Sequence, residues 1–68
     1  MIRISDLLYS IQEIFYEDVI IGTEECTLWI FSYLDSIPDD VTRLYVNKWN
    51  IEWYILNGEP AFHLVIYI

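Results

Sequence analysis

The groups in this chain that could do chemistry are eleven carboxylates, one imidazole at His63 and one thiol at Cys26. A zinc site needs three or four suitable ligands, and the single histidine and cysteine cannot make one by themselves. The nucleophile–base pair would have to be Cys26 with His63, and neither carries a flanking signature for that chemistry. The carboxylates come in pairs, as in Glu17-Asp18, Glu24-Glu25 and Asp39-Asp40. Acid–base catalysis needs carboxyls in unlike environments within a cleft, and adjacent acids in solvated turns lack that asymmetry. With two glycines in the chain, a phosphate-cradling loop is not expected. The sequence therefore reads as a non-enzyme without metal or cofactor, with Cys26 in the core and His63 on a sheet surface.

What so many carboxylates can do is attract. Three basic residues stand against eleven acidic ones in 68 residues, a net charge of -8. Self-repulsion on that scale opposes compactness, so the imbalance serves solubility and attraction to a basic partner rather than the fold. It also argues against direct binding of nucleic acid and against anionic membranes. The chain is nevertheless 56% hydrophobic, with three Trp, six Tyr and three Phe. A single domain of this length, residues 1–68, buries only about 60% of its extended-chain surface. Surplus apolar area is then expected at an interface, and a homodimer through the C-terminal strand edge or the Tyr54, Val65 and Tyr67 face is the simplest form. A single cysteine fits a reducing compartment. No signal-peptide pattern opens the chain, and its longest uncharged apolar runs, 26–34 and 61–68, fall short of the ~20 residues of a spanning helix. These features lead to the expectation of a cytoplasmic protein.

The elements that must position these groups follow from periodicity. Ser5 is a good N-cap, and Leu7, Leu8, Ile11, Ile14 and Phe15 recur at helical spacing, which predicts a first helix over 5–17. Val19-Ile20-Ile21 reads as a short strand or a buried connector. Thr23 followed by Glu24 and Glu25 has the form of a helix start, so a second helix is expected over 24–35, although residues 26–34 are apolar on every side and also suit a strand. Residues 41–46 have strand composition. Residues 51–56 and 62–68 are strands joined by Asn57-Gly58, the strongest hairpin signal in the chain. A two-residue loop there pairs Leu56 with Glu59, Trp53 with Phe62 and Ile51 with Leu64. Ile51, Trp53, Ile55, Phe62, Leu64, Ile66 and Ile68 then share the core face. Glu52 faces His63 on the other, where an acid–imidazolium pair can form. The expected fold class is α+β, two N-terminal helices packed on a three-stranded antiparallel sheet with a C-terminal hairpin.

On that fold the acids gather around the second helix. Glu17, Asp18, Glu24 and Glu25 lie before and at its start, and Asp35, Asp39 and Asp40 follow it. Acids favour helix N-termini, which explains Glu24 and Glu25, but an acid near a helix C-terminus opposes the dipole, so Asp35 needs another reason. These seven residues, with Trp29 as an aromatic anchor if it points outward, form the candidate partner-binding set. Carboxylates beside aromatics suit a nucleic-acid-binding cleft, with the acids standing in for phosphates.

Ile4-Ser5-Asp6-Leu7, Gly22 and Leu28-Trp29 together resemble the barstar-like ribonuclease inhibitors. The resemblance runs without gaps from Ile4 to Trp29, under half of the chain. It implies an opening helix, a glycine-containing loop and a helix bearing Leu28-Trp29 that plugs a nuclease active site with acidic side chains. Cys26 and Ile30 stand where that family places carboxylates, so the inhibitory role it implies would pass to Glu24 and Glu25. Two functions are thus expected. One is a small acidic antagonist, immunity-type or phage-encoded, of a nuclease or another nucleic-acid-binding protein. The other is a non-catalytic interaction module whose aromatic surplus forms a homo-oligomer interface.

Overall fold

The computed structural model describes residues 1–32 and 35–68. Helix α1 spans Ile4–Ser10, strand β1 Asp18–Gly22, strand β2 Thr27–Ser32, helix α2 Asp39–Thr42, strand β3 Lys48–Leu56 and strand β4 Glu59–Tyr67. The strands form one mixed sheet in the order β2-β1-β4-β3. Two antiparallel hairpins, β1–β2 and β3–β4, are joined through a parallel pairing of β1 with β4. The expectation of two N-terminal helices on a three-stranded antiparallel sheet is therefore corrected to two short helices on a four-stranded mixed sheet.

Each departure has a local cause. Helix α1 buries Ile4 and Leu7, and Ile11 at its C-cap extends the same stripe at i, i+3 and i+7. Asp6 accepts the Arg3 backbone N–H at 3.2 Å, which puts the helix start before Ser5 rather than at it. The helix stops at Ser10, whose hydroxyl turns back to the Leu7 carbonyl at 2.9 Å, instead of running to residue 17. Residues 11–17 must reverse the chain so that Glu17 can donate its backbone N–H to Phe62 of β4 at 2.8 Å. Ile14 and Phe15, apolar at helical spacing, are left exposed on that connection.

The expected second helix over 24–35 is a turn followed by β2, and its residues Tyr33 and Leu34 lie outside the described residues. Thr23 does accept backbone N–H groups through its hydroxyl, from Glu25 and Cys26 at 3.3 Å each. The Thr23 N–H, however, donates to the Cys26 carbonyl at 2.9 Å and closes a tight turn. A threonine hydroxyl bonded to nearby backbone serves turns as readily as helix caps. Beyond it the β-branched and aromatic run pairs with β1, Trp29 against Ile21 and Phe31 against Val19. The helix that the barstar-like resemblance implies for Leu28-Trp29 is thus a strand. Residues 41–46 are not a strand either. Val41 and Thr42 belong to α2, and only Tyr45 keeps a β-bridge, to Arg3. Pro38 and the two acids in the first turn favour that short helix.

The Asn57-Gly58 hairpin has the expected register, with Leu56 opposite Glu59, Trp53 opposite Phe62, Ile51 opposite Leu64 and Glu52 opposite His63. Both loop residues have positive φ, 53° and 80°, the conformation of a type I′ turn. The core lies on one face of the sheet, where Val19, Ile21, Leu64 and Ile66 pack under Ile4, Leu7, Ile11, Val41 and Val46. The C-terminal strand is central, flanked by β1 and β3, so it offers no free edge for a dimer. The edges belong to β2 and β3.

The ladder shifts register between Ile21 and Gly22. A Cβ at Gly22 would collide with the Cys26 carbonyl and stand 2.9 Å from the Thr27 Cα. Gly22→Ala is expected to lower stability by about 1–3 kcal/mol, as overpacking against backbone does. Chemical denaturation measures this, and an unchanged midpoint would mean that the turn does not close against β1.

Candidate interaction surfaces

The sequence-derived binding set does not assemble into one rim. Glu17 and Asp18 lie at the start of β1, and Asp35 joins them through its carboxylate, which accepts the N–H of Ser32, the register partner of Asp18. Glu24 and Glu25 lie in the turn past the other end of β1. Four steps of about 3.3 Å along the strand separate the two groups by roughly 13 Å. Asp39 and Asp40 open α2 in the helical layer. Trp29 points to the core side and packs, half-buried, against the buried cluster, so it is not an outward anchor.

The exposed aromatic surface lies elsewhere. The helical layer covers the sheet only about as far as β1 and β2 reach, while the nine-residue strands of the β3–β4 hairpin run on beyond it. Trp53 and Phe62, a cross-strand pair on the core side, are therefore 67% and 37% exposed, and Ile55 is 60% exposed. At this end Glu17 is bonded beside Phe62, and Asp18 and Glu59 begin β1 and β4 with their side chains on the opposite face. The three basic residues lie toward the opposite end. Lys48 pairs with Tyr67 at the end of β4, and Arg3 bridges to Tyr45. Arg43 precedes Leu44, whose carbonyl accepts the first helical N–H at Ile4. Glu24, Glu25 and Asp6 share that end with the bases, so acids occupy both ends and bases only one.

The face away from the helices carries the polar contacts. His63 Nδ1 meets the Asp18 carboxylate, its register partner on β1, and Tyr54 stacks on the imidazole at 3.9 Å between centroids with an 8° tilt. Sequence reasoning placed Glu52 opposite His63 correctly, but the acid that engages the imidazole comes from the parallel neighbour, which the hairpin register alone could not reveal. Partial burial raises the Tyr54 phenol above its ordinary value, and the nearby charges of Asp18 and Glu17 add to this. Cys26 is exposed in the β1–β2 turn, not in the core, and is separated from His63 by the length of β1. Glu24, Glu25 and Glu52 line a cleft of about 400 Å³ over Ile20 and Val65. Among the described residues no group of three or more His, Cys, Asp and Glu is placed to hold a metal. No helix among the described residues is long and apolar enough to cross a membrane.

No family model matches the chain, and neither does any curated protein or solved structure.

Lys48 donates to the Glu24 carboxylate and lies over the Tyr67 ring at 4.9 Å. The hydrogen bond, and then the attraction of opposite charges, lowers the Glu24 pKa and raises that of Lys48. Any stability from the pair is present above the unfolded glutamate value and is lost as pH falls through the lowered folded one. On the alkaline side it is present below the unfolded lysine value and lost as pH rises through the raised one. Both side chains are exposed, so the contribution is small and screened by salt. In an NMR titration the Glu24 carboxyl is expected to titrate below the ordinary glutamate range and to return to it in Lys48→Met. A midpoint indifferent to that substitution would show that the pair does not form in solution.

Proposed function

We propose that this chain is a non-catalytic acidic binding protein that occupies the basic surface of a nuclease or another nucleic-acid-binding protein. The observation that carries this reading is the far end of the β3–β4 hairpin. There an exposed Trp53–Phe62 pair lies on the helix-side face with Glu17 bonded beside Phe62. Asp18 and Glu59 lie on the opposite face of the same end, and the basic residues lie toward the other end. Interface energy concentrates in aromatic anchors that a partner fully desolvates, and tryptophan is the most enriched of them. Flanking charge contributes mainly to encounter rate and choice of partner. An acidic approach surface with an aromatic centre therefore selects a basic protein and then holds it. The division of labour proposed from the sequence is kept, but the anchor moves from Trp29 to Trp53, with Glu17 and Asp18 at the same end of the sheet.

The test uses the full chain as bait, with retained proteins identified at low and at high salt. Trp53→Ala is expected to keep the fold and weaken retention of the basic partner by tenfold or more, since loss of a hot-spot aromatic costs about 2 kcal/mol. The double variant Glu17→Gln, Glu59→Gln is expected to slow association and flatten its salt dependence while leaving dissociation nearly unchanged. The retained protein should lose nucleic-acid binding when the chain is present. Retention indifferent to both Trp53→Ala and salt would reject the proposal.

A further inference from the structure

Strand β3 is an edge strand of nine residues without proline. The type I′ loop makes Leu56 and Glu59 a hydrogen-bonded pair, and in an antiparallel ladder such pairs then alternate. Even-numbered residues of β3 thus exchange bonds with odd-numbered residues of β4. The other side of β4 has the matching parity, because the Phe62 carbonyl accepts from Glu17 and the Ile68 N–H donates to Gly22. The N–H and C=O groups of Trp49, Ile51, Trp53 and Ile55 consequently point away from the sheet, where no strand of the described residues lies. The side chains of these four residues form the helix-side row of β3, and Trp49, Trp53 and Ile55 are exposed in it. On the other face β3 presents Asn50, Glu52 and Tyr54, with Asp18 beyond His63.

Edges of native sheets are usually blunted by lysine, proline, bulges or inward charges. None interrupts the four-residue apolar row of β3, and its one lysine, Lys48, sits at the strand start and is engaged by Glu24. A strand laid along this edge would meet apolar side chains on one face and, on the other, the Glu52 carboxylate at the centre of the edge between Asn50 and Tyr54. A second copy suits the edge poorly. The self-pairing register that uses all nine residues sets Glu52 directly against its own copy at about 4.5 Å between Cα atoms, and each chain carries a net charge of -8.

We propose that β3 takes up its basic partner by strand addition, the occupant being an extended protein segment in which apolar residues alternate with lysine or arginine. The inference rests on the basic-partner reading above and specifies how that partner is held: main-chain bonds supply affinity and the alternation supplies selectivity.

The probe is a short synthetic peptide alternating valine and lysine, with a valine–glutamate peptide for comparison, added to the isotope-labelled full chain. With the valine–lysine peptide at about ten times its Kd, hydrogen exchange at the amides of Trp49, Ile51, Trp53 and Ile55 is expected to slow by roughly tenfold. The amides of Asn50, Glu52 and Tyr54, already bonded to β4, should keep their rates. Glu52→Lys should weaken the valine–lysine peptide by about two- to fivefold, with Glu52→Gln in between. Failure of the valine–lysine peptide to bind overturns the proposal. So do binding without protection of the four outward amides, equal binding of the valine–glutamate peptide, and a free chain that sediments as a dimer with those amides already protected. Loss of partner retention in Trp53→Ala without amide protection by the peptide would leave the blocking function standing and remove strand addition. Amide protection with partner retention indifferent to Trp53→Ala would do the reverse.

Discussion

The parallel pairing of β1 with β4 is the constraint on which the rest of the structure depends. It aligns Val19 with Leu64 and Ile21 with Ile66, and all four side chains are nearly or fully buried beneath Ile4 and Leu7. Burial of side chains of this size contributes about 1.5–3 kcal/mol each before entropy is counted. In a chain so small no other group of residues can match that block. Two parallel strands cannot be joined by a tight turn. The intervening chain must leave β1, cross the molecule and return, and it does so through β2, α2 and β3. The two hairpins flank the central pair because each supplies one of its strands.

This arrangement fixes what is left uncovered. β1 has five residues and β4 has nine, so the central pairing ends before the second hairpin does. The helices are short and anchored over the central pair. The apolar periodicity of β3 and β4 nevertheless continues past them, so Trp53, Ile55 and Phe62 face the core side of a sheet with no layer above them. The exposure is a consequence of unequal hairpins rather than of a break in the apolar pattern. The chain direction of β1 also divides the charges, with Glu17 and Asp18 entering the strand and Glu24 and Glu25 leaving it.

How much of this was legible varies with how local the determinant is. The β3–β4 register was readable because Asn57-Gly58 allows one loop geometry, and a two-residue loop dictates every pair behind it. The second strand was not, because Thr23-Glu24-Glu25 satisfies the same hydroxyl-to-backbone bonding in a turn as at a helix N-terminus. Leu28 to Phe31, apolar on both faces, carries no periodicity to arbitrate. The end of α1 is not legible because Ile14 and Phe15 keep helical spacing while lying exposed on the connection to β1. The partner of His63 depends on a non-local parallel pairing that leaves no mark within either strand. The exposed tryptophan on β3 left a fainter trace. More large apolar residues fall on the predicted core face of the hairpin than two short helices can cover, but only the observed lengths show that the excess gathers at Trp53.

The acidity and the bare apolar edge make sense together. A nine-residue edge with Trp49, Trp53 and Ile55 on one face would tend to pair with copies of itself if the molecule were neutral. At a net charge of -8 two copies repel each other over a Debye length of about 8 Å at physiological salt. Glu52 brings that repulsion to the centre of the edge, where full-length self-pairing would place the two carboxylates together. The same field would draw in the basic segment proposed above and let its backbone reach the open N–H and C=O groups. On the strand-addition proposal, a charge that is a liability for compactness would act as a filter on what completes the sheet. On that proposal lysines along β3, the usual guardians of exposed edges, would repel the partner that Glu52 attracts.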